Sequence, residues 1–211
     1  DKSGKPVAVT PAPKSSPKDP KVEQNFVKRH EGFLKDKEEA LKNGPVQLVF
    51  LGDSITDGWR KTDKEKGDSP QFKLFKERWG TKYNALNLGI GGDRTEHVLW
   101  RLEQGEIDGL KPKALMLMIG TNNLGNKQSP EDTILGITAI VKELLAKLQE
   151  QQRRQIRRMS RRLSLFTDLQ KYKLPEPPRW RIHIFNDPAA VLFAGDYHAA
   201  LNYGDASGNA F

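Results

Sequence analysis

Cysteine is absent from the 211 residues, which excludes disulfides and thiolate metal sites and leaves the redox compartment open. Long apolar runs are absent too, and nothing approaches the roughly 20 residues a membrane-crossing helix needs. The Gly-Gly-Asp at 91–93 is not part of a Gly-x-x-x-x-Gly-Lys-Ser/Thr, so it does not read as a phosphate cradle. A Gly-x-Ser-x-Gly elbow is also missing, because Thr56 stands where that elbow needs glycine. The sequence opens on Asp1 with neither an initiator Met nor a signal peptide. A processed or truncated chain is expected on that basis, and an exported protein whose signal has been removed fits.

What is present suits one domain with tails, since 36% hydrophobic residues can supply one core. The first twenty residues hold five prolines and four lysines and almost no large apolar side chain. Residues 1–21 are therefore expected to form a disordered linker. The net charge of +8 is local: ten of the 35 basic residues and two of the 27 acidic ones fall between 151 and 181, leaving 25 of each elsewhere. A basic balance confined to one segment does not make the whole chain a nucleic-acid binder.

Along the chain, Val22, Phe26, Phe33, Leu34 and Leu41 predict an amphipathic helix that ends near Asn43-Gly44-Pro45. His30 lies on or near its apolar face and reads as a packed or solvated histidine. Residues 63–68 read as an exposed loop. Ser69-Pro70 predicts an N-cap followed by proline at the first helical position, with Phe72, Phe75 and Trp79 as the buried side. Asp93 and Glu96 predict a capping box opening a helix in which His97 is a face residue rather than a general base. Ser129-Pro130-Glu131-Asp132 predicts the clearest helix start, with Ile134, Ile137, Val141, Leu144, Leu145 and Leu148 as its core stripe.

Three apolar runs each lead into a polar turn. Residues 46–51 run into Gly52-Asp53-Ser54-Ile55-Thr56, residues 85–88 into Gly89-Ile90-Gly91-Gly92-Asp93, and residues 114–119 into Gly120-Thr121-Asn122-Asn123. Gly-Asp-Ser alone is an ordinary turn. In an open α/β sheet, however, the carboxyl ends of the strands face the binding crevice, and three such units deliver polar groups to one edge. Ser54 then reads as a nucleophile. Strands alternating with helices imply right-handed crossovers and a parallel sheet covered on both faces.

The three blocks together resemble the SGNH (GDSL) hydrolases, most closely the catalytic subunits of type Ib platelet-activating-factor acetylhydrolase and their bacterial relatives, and so does His97-Val98-Leu99-Trp100-Arg101-Leu102. The resemblance implies a three-layer αβα, flavodoxin-like fold over residues 22–149. It implies Ser54 as nucleophile and the Ser54 N–H, the Gly92 N–H and the Asn122 side-chain amide as oxyanion donors, with no metal or cofactor. Such chemistry needs these residue types, because a backbone N–H at glycine is open to close approach and an asparagine amide donates without titrating. The implied substrate is a small ester, such as an acetylated carbohydrate or lipid.

Past Gln149 the family pattern is expected to stop. A further hydrophobic strand and a terminal Asp-x-x-His should follow, but residues 150–211 form a basic, proline-containing tail instead. Paired arginines recur every four residues from Arg153-Arg154 to Arg161-Arg162. That segment reads as a basic amphipathic helix able to bind nucleic acid, as a solvated extension of the preceding helix, or as a tail from a change of reading frame; the last is favoured and nucleic acid is not the expected partner. His198, with Asp196 close by, is the remaining candidate for base and acid, although one residue separates them where the family has two. His183, in an Ile182-His183-Ile184 alternation, suits an outward strand position. The tail is expected to leave the sheet incomplete and its edge exposed. Two readings follow: a serine esterase, or an SGNH-like binding module without a working base.

Overall fold

A strand whose successive side chains are all apolar must be covered on both faces, and the run Leu48-Val49-Phe50-Leu51 is of that kind. In the computed structural model, which describes residues 6–63, 67–163, 181–184 and 190–194, it forms the centre of a sheet. The order is a 3₁₀ turn (Val7–Val9), α1 (Lys21–Lys42), β1 (Leu48–Gly52), α2 (Ser54–Asp57), β2 (Thr62–Asp63), β3 (Gly67–Asp68), α3 (Pro70–Phe75), α4 (Thr81–Tyr83), β4 (Leu86–Gly89) and α5 (Thr95–Glu103). Then come β5 (Ala114–Met118), α6 (Thr121–Gly125), α7 (Pro130–Leu163), β6 (Arg181–Ile184) and β7 (Ala190–Ala194).

The sheet runs β4-β1-β5-β7-β6. β1 pairs parallel with β4 on one side and with β5 on the other. Val49 and Leu51 point to one face, where they join Phe26 and Phe33 of α1, Val98 and Leu102 of α5 and Ile140 and Leu144 of α7 in one core. Phe50 points to the other face, against Phe75 and Trp79. Helical cover on both faces gives the α/β layering, as expected.

The expectation of an exposed sheet edge does not hold. β7 pairs antiparallel with β5, Met118 opposite Ala190 and Ala114 opposite Ala194, and β6 pairs antiparallel with β7. Residues 190–194, Ala-Val-Leu-Phe-Ala, include a β-branched and an aromatic residue, types favoured in strands. The sheet is accordingly mixed, with a parallel core of three strands. Beyond Gln149, α7 continues without a break to Leu163, so the arginine-rich segment is a continuation of that helix.

Residues 6–20 correct the linker expectation. Ala8 is buried, its carbonyl accepts from the Thr95 hydroxyl at 2.9 Å, and the Ala12 N–H donates to the Glu96 carbonyl at 3.2 Å. Composition favoured disorder, but a small residue fitting a gap between two helices can order a strap that has no large apolar side chain. The gap exists because Gly136 of α7 presents no side chain: a Cβ there would lie 2.4 Å from Thr95 Oγ1 and 2.7 Å from the Ala8 carbonyl. The buried line on α7 is therefore Thr133, Gly136, Ile140, Leu144 and Leu148, while Ile134, expected in the core, is 62% exposed.

Other local expectations stand or shift by small amounts. Ser69 caps α3 through the Phe72 N–H with Pro70 at N1, and Ser129 Oγ accepts from the Asp132 N–H. α1 ends with Asn43 as its cap residue, and Leu41 is exposed. The segment expected as a loop at 63–68 is closed by a short antiparallel pairing, Thr62 opposite Asp68 and Asp63 opposite Gly67.

The crowding at Gly136 makes a signed prediction. Gly136→Ala should destabilise by about 1–3 kcal/mol through overpacking against the strap. Gly32→Ala, in α1 with nothing within 4 Å of the new methyl, should stabilise by about 0.8–1 kcal/mol through helix propensity. Urea unfolding of the two variants checks the opposite signs.

Candidate active site

Ser54 is the first residue of α2, directly beyond β1, and it is exposed. Asp53 precedes it as N-cap, with Oδ1 accepting from the Ile55 N–H at 3.0 Å. Asp53 is itself buried, and burial holds its carboxyl above the usual carboxylate range. The turn is clamped to β4 by Asn87, whose amide donates to the Thr56 carbonyl at 2.7 Å while its Oδ1 accepts from the Gly89 N–H. The approach is so close that a Cβ on Gly89 would lie 2.4 Å from the Asp57 nitrogen.

The turn after β4 reaches the same place. A Cβ at Gly91 would sit 3.9 Å from Ser54 Cβ. Gly92 adopts φ +75°, a left-handed conformation costly for a residue with a side chain. After β5, Asn122 donates to the Asp93 carbonyl at 2.8 Å and reaches Asp53 Oδ2 at 3.4 Å. The Asn122 amide thus bridges the Ser54 turn and the Gly92 turn. Its neighbour Asn123 is buried, accepting from the Thr95 N–H and donating to Thr95 Oγ1 and Gln128 Oε1. A shallow depression of ≈ 300 Å³, lined by Ile55, Gly58, Trp59, Lys61, Ser69 and Gln71, opens beside α2.

Beneath this edge lies a buried charge cluster. Arg101 is fully buried; it donates to the Leu88 carbonyl at 2.9 Å and to Asp93 Oδ2 at 2.8 Å, and it pairs with Glu106. Glu106 also meets His30 Nδ1 at 2.8 Å. Two buried carboxyls share one guanidinium, so burial first, and then repulsion from Glu106, push Asp93 up to about 7 despite Arg101.

The capping box expected from Asp93 and Glu96 is replaced. Asp93 turns inward to Arg101, Arg94 becomes the N-cap residue, and its N–H donates to His97 Nδ1 at 3.1 Å. Burial, together with Arg94, Lys14 and Arg101, lowers the His97 pKa to about 3, so the ring is neutral and packed against Phe26. His30 and His97 are both committed to the interior. His198 and Asp196 lie outside the described residues, and His183 is described only as a position in β6 opposite Leu192. Among the described residues no group of His, Asp and Glu could hold a metal, and no helix is long and apolar enough to cross a membrane.

With this geometry in view, the comparisons with known proteins are specific. Residues 50–187 match the model of the GDSL-like Lipase/Acylhydrolase family. The chain belongs to that family. The match continues past Gln149, where the sequence resemblance was expected to end. The chain is 36% identical over 144 residues to platelet-activating factor acetylhydrolase IB subunit alpha1 of Rattus norvegicus, covering 68% of this chain and 54% of that protein. The Homo sapiens alpha1 subunit is 35% identical over the same length and coverage. The Gallus gallus alpha2 subunit is 34% identical over 120 residues, 57% of this chain and 45% of that one. The chain thus spans about half the length of the curated relatives it matches.

Sequence reasoning missed Arg101, Glu106 and Lys14 as parts of this edge. Arg101 carried a signal, being a charge three residues after Val98 and next to Leu102 on an otherwise apolar helix side. Lys14 carried none.

Asp93 has a folded pKa raised from 3.8 to about 7. Between those values the folded chain holds a proton that the unfolded chain has released, so this group's contribution to stability falls as pH rises through the window. Asp93→Asn should flatten the pH dependence of the unfolding free energy there, read from urea titrations across the range. An unchanged slope would place the proton on another group.

Proposed function

We propose that the chain is a serine esterase that removes small, acetyl-type acyl groups from a carbohydrate or lipid ester. Ser54 Oγ attacks the ester carbonyl and gives its proton to a histidine, forming a tetrahedral oxyanion. The Ser54 N–H, the Gly92 N–H and the Asn122 amide stabilise that charge. Collapse expels the alcohol, which takes the proton from the histidine, and water then attacks the acyl-enzyme by the same route in reverse. We assign the histidine as His198 with Asp196 as its acidic neighbour, since His30 and His97 are buried in other contacts.

The observation that carries the reading is the Asn122 amide lying between Asp53 and Asp93, with Gly91 against Ser54. One Asn122 N–H is committed to the Asp93 carbonyl. Among the described residues the other has the 3.4 Å contact with Asp53, and it is the one we assign to the oxyanion. The acetylhydrolase name of the relatives supports a small acyl group.

Hydrolysis of p-nitrophenyl acetate by the full chain tests this. Ser54→Ala should abolish turnover, and Asn122→Ala should lower kcat by about 10²–10³ with little change in fold, as loss of one oxyanion donor does. His198→Ala should resemble Ser54→Ala. Equal rates in wild type and Ser54→Ala would reject this nucleophile.

A further inference from the structure

The strap formed by residues 6–20 does more than cover α5 and α7. Held by Ala8 at Thr95 and by Ala12 at Glu96, it turns so that Lys14 reaches over the second glycine turn. Lys14 Nζ donates to the Gly91 carbonyl at 2.8 Å, and it would lie 2.6 Å from a Cβ built on Gly92. The missing side chain of Gly92 is the space that the ammonium occupies. Gly91 is also the residue whose built Cβ lies 3.9 Å from Ser54 Cβ. A cation is therefore fixed at the lip of the candidate site by a segment outside the α/β core.

An ammonium has three donors, and the Gly91 carbonyl takes one. Were its purpose only to anchor the strap, the Ala8 bond within the 3₁₀ turn and the Ala12 bond beyond it already do so. The lysine is not needed for the buried cluster either, because Asp93 has Arg101 at 2.8 Å. What the position offers is a single positive charge beside the place where an ester carbonyl would sit.

We propose that Lys14 is a substrate-binding residue that selects esters bearing a carboxylate close to the scissile carbonyl, as in the monoester of a short dicarboxylic acid. One ammonium carries a single positive charge, and the Asp53 and Asp93 carboxyls close by add none to it, which suits a monoanionic carboxylate better than a dianionic phosphate. The inference rests on the esterase reading for its catalytic arm, and a binding arm stands apart from turnover.

The catalytic arm compares kcat/KM for mono-4-nitrophenyl succinate and 4-nitrophenyl acetate, which share a leaving group. A charge-assisted hydrogen bond corresponds to about a 10- to 100-fold preference. Lys14→Met should lower the succinate-to-acetate ratio by about tenfold or more, Lys14→Arg should keep most of it, and about 0.5 M KCl should narrow it in the wild type. Equal ratios in wild type and Lys14→Met overturn the proposal, even if both rates fall, because a purely structural tie would slow both esters alike.

The binding arm titrates the unreactive succinate monoanilide and acetanilide into the full chain carrying Ser54→Ala, with and without Lys14→Met, by calorimetry. Tighter binding of the anionic anilide that depends on Lys14 supports the proposal, and equal affinity in the two backgrounds overturns it. Should neither ester be hydrolysed, the esterase reading fails while the anilide comparison still decides the role of Lys14.

Discussion

A fully buried guanidinium must be paired, and the pairing of Arg101 sets the geometry of the whole candidate site. Through one side chain, α5 is tied to the end of β4 at the Leu88 carbonyl, to the following turn at Asp93 and to the segment after α5 at Glu106. Glu106 extends the tie to His30 of α1. Removing one partner from such a cluster strands an uncompensated charge, typically at a cost of about 3–5 kcal/mol. The arrangement therefore tolerates few positions of the Asp93 backbone. That backbone matters because the Asp93 carbonyl holds the Asn122 amide. A charge cluster deep beneath the sheet edge consequently fixes a neutral donor at its surface.

Steric limits complete what the charges begin. Gly52 could not carry a Cβ, which would fall 2.4 Å from the Met118 carbonyl, and Gly89 could not carry one against Asp57. β1 and its two neighbours thus let the α2 turn settle onto the strand ends, and Asn87 fastens it there with bonds to Thr56 and Gly89. Ser54 is exposed, but the residues on both sides of it are held. A reacting group on a rigid turn is already oriented before substrate arrives, which is where much of the benefit of a positioned nucleophile lies.

The parallel core was legible because its signals are local: apolar runs of strand length, glycine-led turns, and serine-proline helix starts at 69 and 129 that the caps reproduce. The Ser54, Gly92 and Asn122 turns were legible for the same reason. The strap was not, since its order comes from one alanine fitting a gap at Gly136, a contact 128 residues distant in sequence. The inward turn of Asp93 was hidden by a capping pattern that matched equally well, and only the partner Arg101, eight residues on, decides between the two. Ile134 was misplaced because hydrophobicity was read without the small residues, Thr133 and Gly136, that define the side of α7 facing the strap.

The distribution of charge separates two features that composition merges. The excess of basic residues falls largely on the continuation of α7 and beyond it, whereas the cation at the candidate site, Lys14, comes from the opposite end of the chain. Exposed charges beyond a Debye length of about 8–10 Å are screened from one another at ordinary ionic strength. A cation hydrogen-bonded to Gly91 beside Ser54 acts locally and differs in kind from a basic helix. The net charge of the chain therefore carries little information about the site, where Lys14 stands among the carboxyls of Asp53 and Asp93 and the guanidiniums of Arg94 and Arg101.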